Sequence, residues 1–425
     1  MMKKHLTLVF FAVAVSLFSA CTVGRSMIYG GPDITDHKHF TQAPIHRGDS
    51  PFEFATGKDA ILNRLKYRTT LKGKPDTRTT LDTLLASTKT TAFIIIRNDS
   101  ILFEHYYGGY DRGKASTIFS VSKTLTCLLA EIAIDEGLIA SIDDPVVKYV
   151  PEFAWNDPMR NQVTVRHLMD MRAGIRFNEG YGWNPFNKMA RMYYGSNTAG
   201  QIKKTKIEEQ PGTALNYQSI ATNVLGLVIE NATGMPLAKY METKVWQPLG
   251  MEYDASLSLD NRNTPKAFGG FSVTAIDLAK IGRLYLNNGN RNGKQIIAPA
   301  WVKASSTPDI ENNGYQLSWR TLLDRVPDSL KQTVHFKDSL SVVARIKELG
   351  GDPSLHTVSR EKSGGRSGGE VWIGIDYSSG VYYAWGILDQ LIYINPAKKL
   401  IMVRLGREDK LYDYRYFMDQ LATWL

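Results

Sequence analysis

Cysteine is almost missing from this chain: Cys21 and Cys127 are the only two in 425 residues. If Cys21 is lost to lipidation, no disulfide can form within the mature protein, and stability must come from a large packed core. Histidine is sparse as well, with 8 residues and neither an H-x-x-x-H spacing nor a Cys-His cluster, so no metal and no other cofactor are expected. Lys and Arg outnumber Asp and Glu, 51 to 42, but the two signs are interspersed. Without a basic stripe interleaved with aromatics, nucleic acid is not an expected partner. Internal repeats are absent, and no apolar run is long enough to span a bilayer comfortably. What remains is an ordinary globular composition, 43% hydrophobic and 22% charged, able to bury one large core or two smaller ones.

What is present begins with an export signal. Lys3 and Lys4 precede an apolar run from Leu6 that ends in Phe18-Ser19-Ala20-Cys21. The charged start and short apolar core have the form of a signal peptide. The ending resembles the lipobox of bacterial lipoproteins, in which cleavage before the Cys leaves it diacylated. Residues 1–20 are therefore expected to be a lipoprotein signal peptide, with Cys21 as the lipidation site. The mature protein would be held to a membrane of the bacterial cell envelope, facing the periplasm or exterior. Residues 21–58 carry Gly30-Gly31-Pro32, Pro44, Gly48 and Pro51 with little periodicity, which reads as a tether followed by an irregular wrapping segment.

Two β-rich runs, 91–97 and 101–107, flank the turn residues Asn98-Asp99-Ser100 and predict a hairpin. The apolar stretch 120–134, closed by Gly137, predicts a helix buried on most sides, with Cys127 as a small packing residue. Helices follow at 164–171, 220–231, 237–245 and 275–288, while 321–380 is Gly-rich and weakly periodic. Strands return at 382–385, 390–395 and 400–405, before a terminal helix over 411–425. Strands at both ends with helices between imply an α/β fold: one antiparallel sheet flanked by helices, with an inserted all-α subdomain. The expected division is 59–150 and 261–425 for the sheet domain and 151–260 for the helical insert.

The chemistry starts at Ser120-Val121-Ser122-Lys123, which places a hydroxyl and an amine three residues apart on one face of a helix start. A serine hydroxyl is a poor nucleophile until a base takes its proton, and a lysine must be neutral to do so. Alone, S-x-x-K is a weak signal. Here it opens an apolar helix behind a hairpin, and it is accompanied by Ala133-Ile134-Asp135-Glu136-Gly137, Asp143-Asp144-Pro145, Arg166-His167-Leu168 and Gly269-Gly270-Phe271. In that order the segments resemble the serine β-lactamase-related family over roughly 91–405. The family takes in class C β-lactamases, D-alanyl-D-alanine peptidases, family VIII esterases and 6-aminohexanoate-dimer hydrolases.

The resemblance implies a β-lactamase/transpeptidase-like fold with the active site between sheet and helical parts, Ser120 as nucleophile and Lys123 as general base. Asn216-Tyr217-Gln218-Ser219 is similar to the family's Tyr-x-Asn/Ser motif. It implies a proton-shuttling role for Tyr217 and a substrate- or lysine-contacting role for Ser219, a residue that looks most like the dimer hydrolases and esterases. The third motif, often Lys-Thr-Gly, is matched by place to Ile387-Leu388-Asp389, which has no basic residue. Lys362-Ser363-Gly364 spells it better but is read as a glycine-loop decoy. The oxyanion donors implied are the N–H groups of Ser120 and Gln390.

Tyr181 and Trp183 are candidates to line the substrate cleft. His105 and His167 read as packing or hydrogen-bonding residues, Glu136 and Asp143 as a loop and cap pair, and Tyr382, Tyr383 and Trp385 as sheet packing. The expected function is a serine hydrolase of a small-molecule ester, amide or peptide through an acyl-enzyme. The alternatives are a true β-lactamase or D-alanyl-D-alanine peptidase, and a non-catalytic binding lipoprotein. Because Asp389 would repel a carboxylate, neutral or cationic substrates are expected over β-lactams.

Overall fold

The computed structural model describes residues 22–57, 62, 67–69, 77–154, 157–180, 184, 186–307, 314–325, 344, 356–362, 371–410 and 412–425. Its centre is the hairpin of Thr90–Arg97 and Ser100–Tyr106. Asn98 and Asp99 both hold left-handed φ values, 51° and 58°, the two-residue turn whose twist matches paired strands. Along Thr90–Arg97 alternate residues face opposite ways. Ala92, Ile94 and Ile96 join one hydrophobic cluster and Phe93 and Ile95 another. The first cluster is closed by the helices Val121–Asp135 and Ala275–Leu286, the second by Leu81–Ala86 and the terminal helix Tyr414–Trp424.

This strand is central in a nine-stranded sheet that runs Tyr315–Gln316, Trp319–Arg325, Val371–Gly386, Gln390–Asn395, Leu400–Gly406, Thr90–Arg97, Ser100–Tyr106 and Ala55–Thr56, with His356–Lys362 paired to Val371–Gly386. All its pairs are antiparallel except Ala55–Thr56 beside Ser100–Tyr106. A second sheet of four short strands orders Thr41–Ile45, Ala255–Leu259, Phe271–Val273 and Ser116–Thr117. It positions the site, since Ser116–Thr117 leads into Ser120 and Phe271–Val273 follows Gly269-Gly270.

The helical insert is tied to the rest through the predicted motif segments. Arg166 donates to Asp143 at 2.7 and 3.3 Å, and His167 and Thr164 cap the helix Val165–Met169 reciprocally. Glu136 is held by Lys244 and by Tyr240 Oη at 3.0 Å. Buried Cys127 packs its Sγ 3.0 Å from Ser318 Oγ, and His105 stacks on Phe103 with Nδ1 2.7 Å from Asp82.

Three expectations about the fold need correction. Residues 22 onward are not a tether: Thr22–Tyr29 is a helix against Lys188–Tyr194, and Thr41–Ile45 is a strand in register with Ala255–Leu259. Ala255–Leu259 therefore belongs to a sheet, so the helical insert stops before it. The stretch 321–380 contributes strands of the large sheet despite its glycines. Lys362 ends one of them, paired with Val371, at the far end of the 16-residue strand from Gly386. Cys21, Tyr181 and Trp183 lie outside the described residues.

Candidate active site

The chain reaches Ser120 through a forced turn. After Ser116–Thr117, Ile118 donates its N–H to Phe271 O at 3.0 Å, and Phe119 then adopts φ 46°, a left-handed conformation unfavourable for a bulky residue. The helix begins at once, with Ser122 N–H on Phe119 O at 2.8 Å and Lys123 N–H on Ser120 O at 3.0 Å. Ser120 is thereby the N-cap of Val121–Asp135, and its side chain caps nothing. Other polar side chains of the helix are used in packing. Ser122 Oγ accepts from Phe271 N–H at 3.2 Å, and Thr126 Oγ1 donates to Ala267 O at 2.9 Å.

Lys123 is 1% exposed, and its Nζ stands 2.9 Å from Ser120 Oγ and 3.0 Å from Phe268 O. The S-x-x-K spacing thus produces a direct contact between amine and hydroxyl in a place water scarcely reaches. Tyr217 lies beside it, with the ring centroid 5.0 Å from Lys123 Nζ and an edge contact to Tyr315 at 6.0 Å. Burial pushes the Tyr315 phenol well above its ordinary value, so that ring stays protonated. Arg320 covers both rings, its guanidinium carbon 5.3 Å from the Tyr217 centroid and 5.0 Å from that of Tyr315. Sequence reasoning missed this cation, which comes from the strand Trp319–Arg325, about 200 positions from Ser120.

Ser219 is fully buried and turned to a partner the sequence did not suggest. Its N–H donates to Glu179 Oε2 at 2.9 Å and its hydroxyl to Glu179 Oε1. The carboxylate thus caps the helix Ser219–Thr233 at its positive end and fixes the chain two residues after Tyr217. Ser219 is therefore tied to Glu179, two residues after Tyr217.

The Gln390 side chain is also engaged elsewhere. It is fully buried, and its amide spans to the next strand, donating to Gly406 O at 2.6 Å and accepting from Gly406 N–H at 3.2 Å. The residue that meets Ser120 is Gly386, across the hairpin from Gln390. A Cβ on Gly386 would lie 2.6 Å from Ile118 O and 3.0 Å from Ser120 N. The strand end that meets Ser120 is therefore Ala384-Trp385-Gly386, three residues before the stretch matched by place, and Ile387 follows it into the cavity wall. Leu388 and Asp389 turn the hairpin at φ 62° each, with Arg404 donating to their carbonyls at 3.0 and 2.9 Å. Burial raises the pKa of Asp389, whose carboxylate accepts from Trp385 Nε1 at 3.2 Å. It is engaged there instead of facing a ligand.

Ser120 opens onto a cavity of about 140 Å³. Its walls include Phe119, Tyr193, Phe268 and Ile387, with Ser26 and Gly30 of the N-terminal segment opposite, and no charged side chain lines it among the described residues. Behind that wall, Tyr193 donates its hydroxyl to buried Asp36, whose carboxyl is pushed up to about 6 by burial. Lys266, pushed down to about 8 by burial, donates to Tyr193 O at 2.7 Å.

The family model described as Beta-lactamase matches residues 78–405. Among curated proteins, the 6-aminohexanoate-dimer hydrolase of Paenarthrobacter ureafaciens is 29% identical over 277 residues, covering 62% of this chain and 66% of that one. The chain thus spans slightly less than two thirds of that relative's length. Among solved structures, a Bacillus anthracis protein provisionally named 6-aminohexanoate-dimer hydrolase superposes with a TM-score of 0.69 at 19% identity, covering 92% of both chains. The D-alanine carboxypeptidase of Burkholderia cenocepacia gives 0.52 at 16% identity, over 81% of this chain and 97% of that one. These likenesses agree with the antiparallel sheet and the helical insert built up above, and with more than half the chain inside the matched region, this protein belongs to the beta-lactamase family.

Proposed function

We propose that the chain is a serine hydrolase that cleaves an ester or amide through an acyl-enzyme on Ser120. One observation carries the reading: a buried lysine amine 2.9 Å from an uncapped serine hydroxyl at the mouth of a cavity. Lys123 takes the Ser120 proton as Oγ bonds to the substrate carbonyl carbon, and the carbonyl electron pair moves onto oxygen. The N–H groups of Ser120 and Ile387 receive that oxyanion. Collapse breaks the bond to the leaving group, which takes a proton through Tyr217. Water then attacks the acyl-Ser120 ester by the same route, releasing the acid and restoring the hydroxyl. Neither Ser219 nor Gln390 has a place in these steps; they hold Glu179 and Gly406.

The uncharged cavity favours a neutral acyl group. Arg320 supports a second reading, in which a substrate carboxylate sits over Tyr217, as a peptidase or β-lactamase would require. The chain is further read as a lipoprotein acylated on Cys21, the pattern of its leader being the support. Among the described residues no helix is long and apolar enough to cross a membrane.

A fluorophosphonate probe should label the protein at Ser120, and Ser120→Ala should abolish labelling; a labelled Ala variant moves the nucleophile elsewhere. Lys123→Ala and Tyr217→Phe should each lose on the order of 10²-fold in kcat. Comparing p-nitrophenyl esters and ω-amino-acid amides with a chromogenic cephalosporin, in wild type and Arg320→Gln, separates the two substrate readings. Mass spectrometry of the mature N-terminus tests acylation of Cys21.

A further inference from the structure

Three of the largest exposed apolar side chains flank residues of the cavity wall. Met27 is 61% exposed, Ile28 56% and Phe186 65%. Met27 and Ile28 lie between Ser26 and Gly30, and Phe186 between Asn184 and Asn187, and all four of those flanking residues line the catalytic cavity. The cavity lining is therefore flanked along the chain by exposed apolar side chains. Beside it, at the start of the helix Thr22–Tyr29, a groove is lined by Thr22, Arg191, Asn197, Gln201 and Lys204 among others, with no carboxylate. Arg191, Lys203 and Lys204 are exposed, so this end is cationic.

The position of this patch in the chain says what covers it. Thr22 directly follows Cys21 and the apolar leader, and it is already helical. At about 1.5 Å per residue, Ser26 stands roughly 6 Å and Gly30 roughly 12 Å along the helix from Thr22. No spacer separates the anchor point from the cavity wall. An apolar rim bordered by cations is the pattern of a surface that seats at the interface of an anionic bilayer, apolar side chains in the acyl boundary and cations at the headgroups.

We infer that the rim formed by Met27, Ile28 and Phe186, with Arg191, Lys203 and Lys204, is a docking surface for an anionic phospholipid bilayer, so that the catalytic cavity opens at the membrane interface. The inference extends the lipoprotein reading, but the patch can be tested without the lipid. The mature form, beginning at residue 21 with Cys21→Ser so that it lacks the apolar leader and cannot be acylated, is mixed with vesicles of phosphatidylglycerol and phosphatidylcholine, or of phosphatidylcholine alone, and sedimented. It should partition onto the anionic vesicles and be released by 0.5 M salt, a concentration of roughly the order that screens surface charge within a few ångströms. Met27→Ser/Ile28→Ser/Phe186→Ser should lower the partition constant at least about tenfold. Arg191→Gln/Lys203→Gln/Lys204→Gln should lower it on anionic vesicles by about fivefold per charge or somewhat less. All six positions are exposed, and a thermal melt verifies that each variant is folded. Absence of binding to anionic vesicles, or equal binding by the folded variants, overturns the inference. A wild-type N-terminus without lipid would end only the acylation reading, and a protein that fluorophosphonate fails to label only the hydrolase reading; the vesicle result is independent of both.

Discussion

Replacing Gly386 by alanine is the sharpest perturbation of the site's backbone. The glycine has φ −120° and ψ 157°, extended values that any residue adopts, so the substitution carries no conformational strain of its own. Its effect is steric, because the new Cβ would meet Ile118 O at 2.6 Å, Ser120 N at 3.0 Å and Phe119 Cβ at 3.3 Å. The first two are backbone atoms of the turn that presents the nucleophile, so strand and turn must part by roughly 0.5–1 Å, a displacement able to cost about 10²-fold in a reacting geometry. It also moves the Ser120 and Ile387 N–H groups apart, and loss of one oxyanion donor costs about 10²–10³-fold. Gly386→Ala should therefore lose on the order of 10²-fold in kcat toward the best p-nitrophenyl ester, with KM little changed and fluorophosphonate labelling slowed in parallel. Gly269→Ala offers the contrast: its Cβ would lie 3.7 Å from the Phe119 backbone, an ordinary contact, and it should lose far less. If Gly386→Ala keeps kcat within a few-fold of wild type, the strand ending at Gly386 does not set the geometry at Ser120, and the assignment of Ile387 falls with it.

Two further outcomes follow from groups that surround the site. Glu179→Ala strips the acceptors from the buried Ser219 N–H and hydroxyl, and should destabilise the protein by about 1–3 kcal/mol while lowering kcat through Tyr217; an unchanged denaturation midpoint would contradict the support role. Asp36 has its carboxyl pushed up from 3.8 to about 6, so the folded state binds a proton more tightly than the unfolded chain. Its contribution is full below about 3.8 and is lost as pH rises through about 6, a loss of about 3 kcal/mol at most. Asp36→Asn should accordingly melt higher than wild type at pH 7 and converge with it near pH 4, and parallel melting curves at both pH values would remove Asp36 from the pH dependence.

How much of this was legible in the sequence depends on whether the signal is local. Ser120 and Lys123 are three residues apart on one helix, so their spacing alone brings them together. The Asn98-Asp99 turn and the β-rich runs on either side of it are likewise short-range patterns, and the hairpin is found as expected. Glu179 meets Ser219 across 40 residues and Arg320 meets Tyr217 across about 100, contacts that no spacing rule encodes. The strand end that meets Ser120 was missed because its contribution here is a backbone position and not a cation. A signal for it existed: glycine within a strand marks the close approach of another backbone, which is what Gly386 provides. The helix Thr22–Tyr29 escaped notice because eight residues ahead of Gly30-Gly31-Pro32 give too few turns for a periodic pattern.

The central claim is that catalysis passes through an ester on Ser120. The direct measurement is to quench turnover of a p-nitrophenyl ester in acid during the first turnovers, digest the protein and map the mass added. The account predicts the acyl mass on the peptide containing Ser120, present in wild type and absent from Ser120→Ala. Full turnover with no acylated peptide at any time, or an acyl group mapped to another residue while Ser120→Ala remains active, would contradict it.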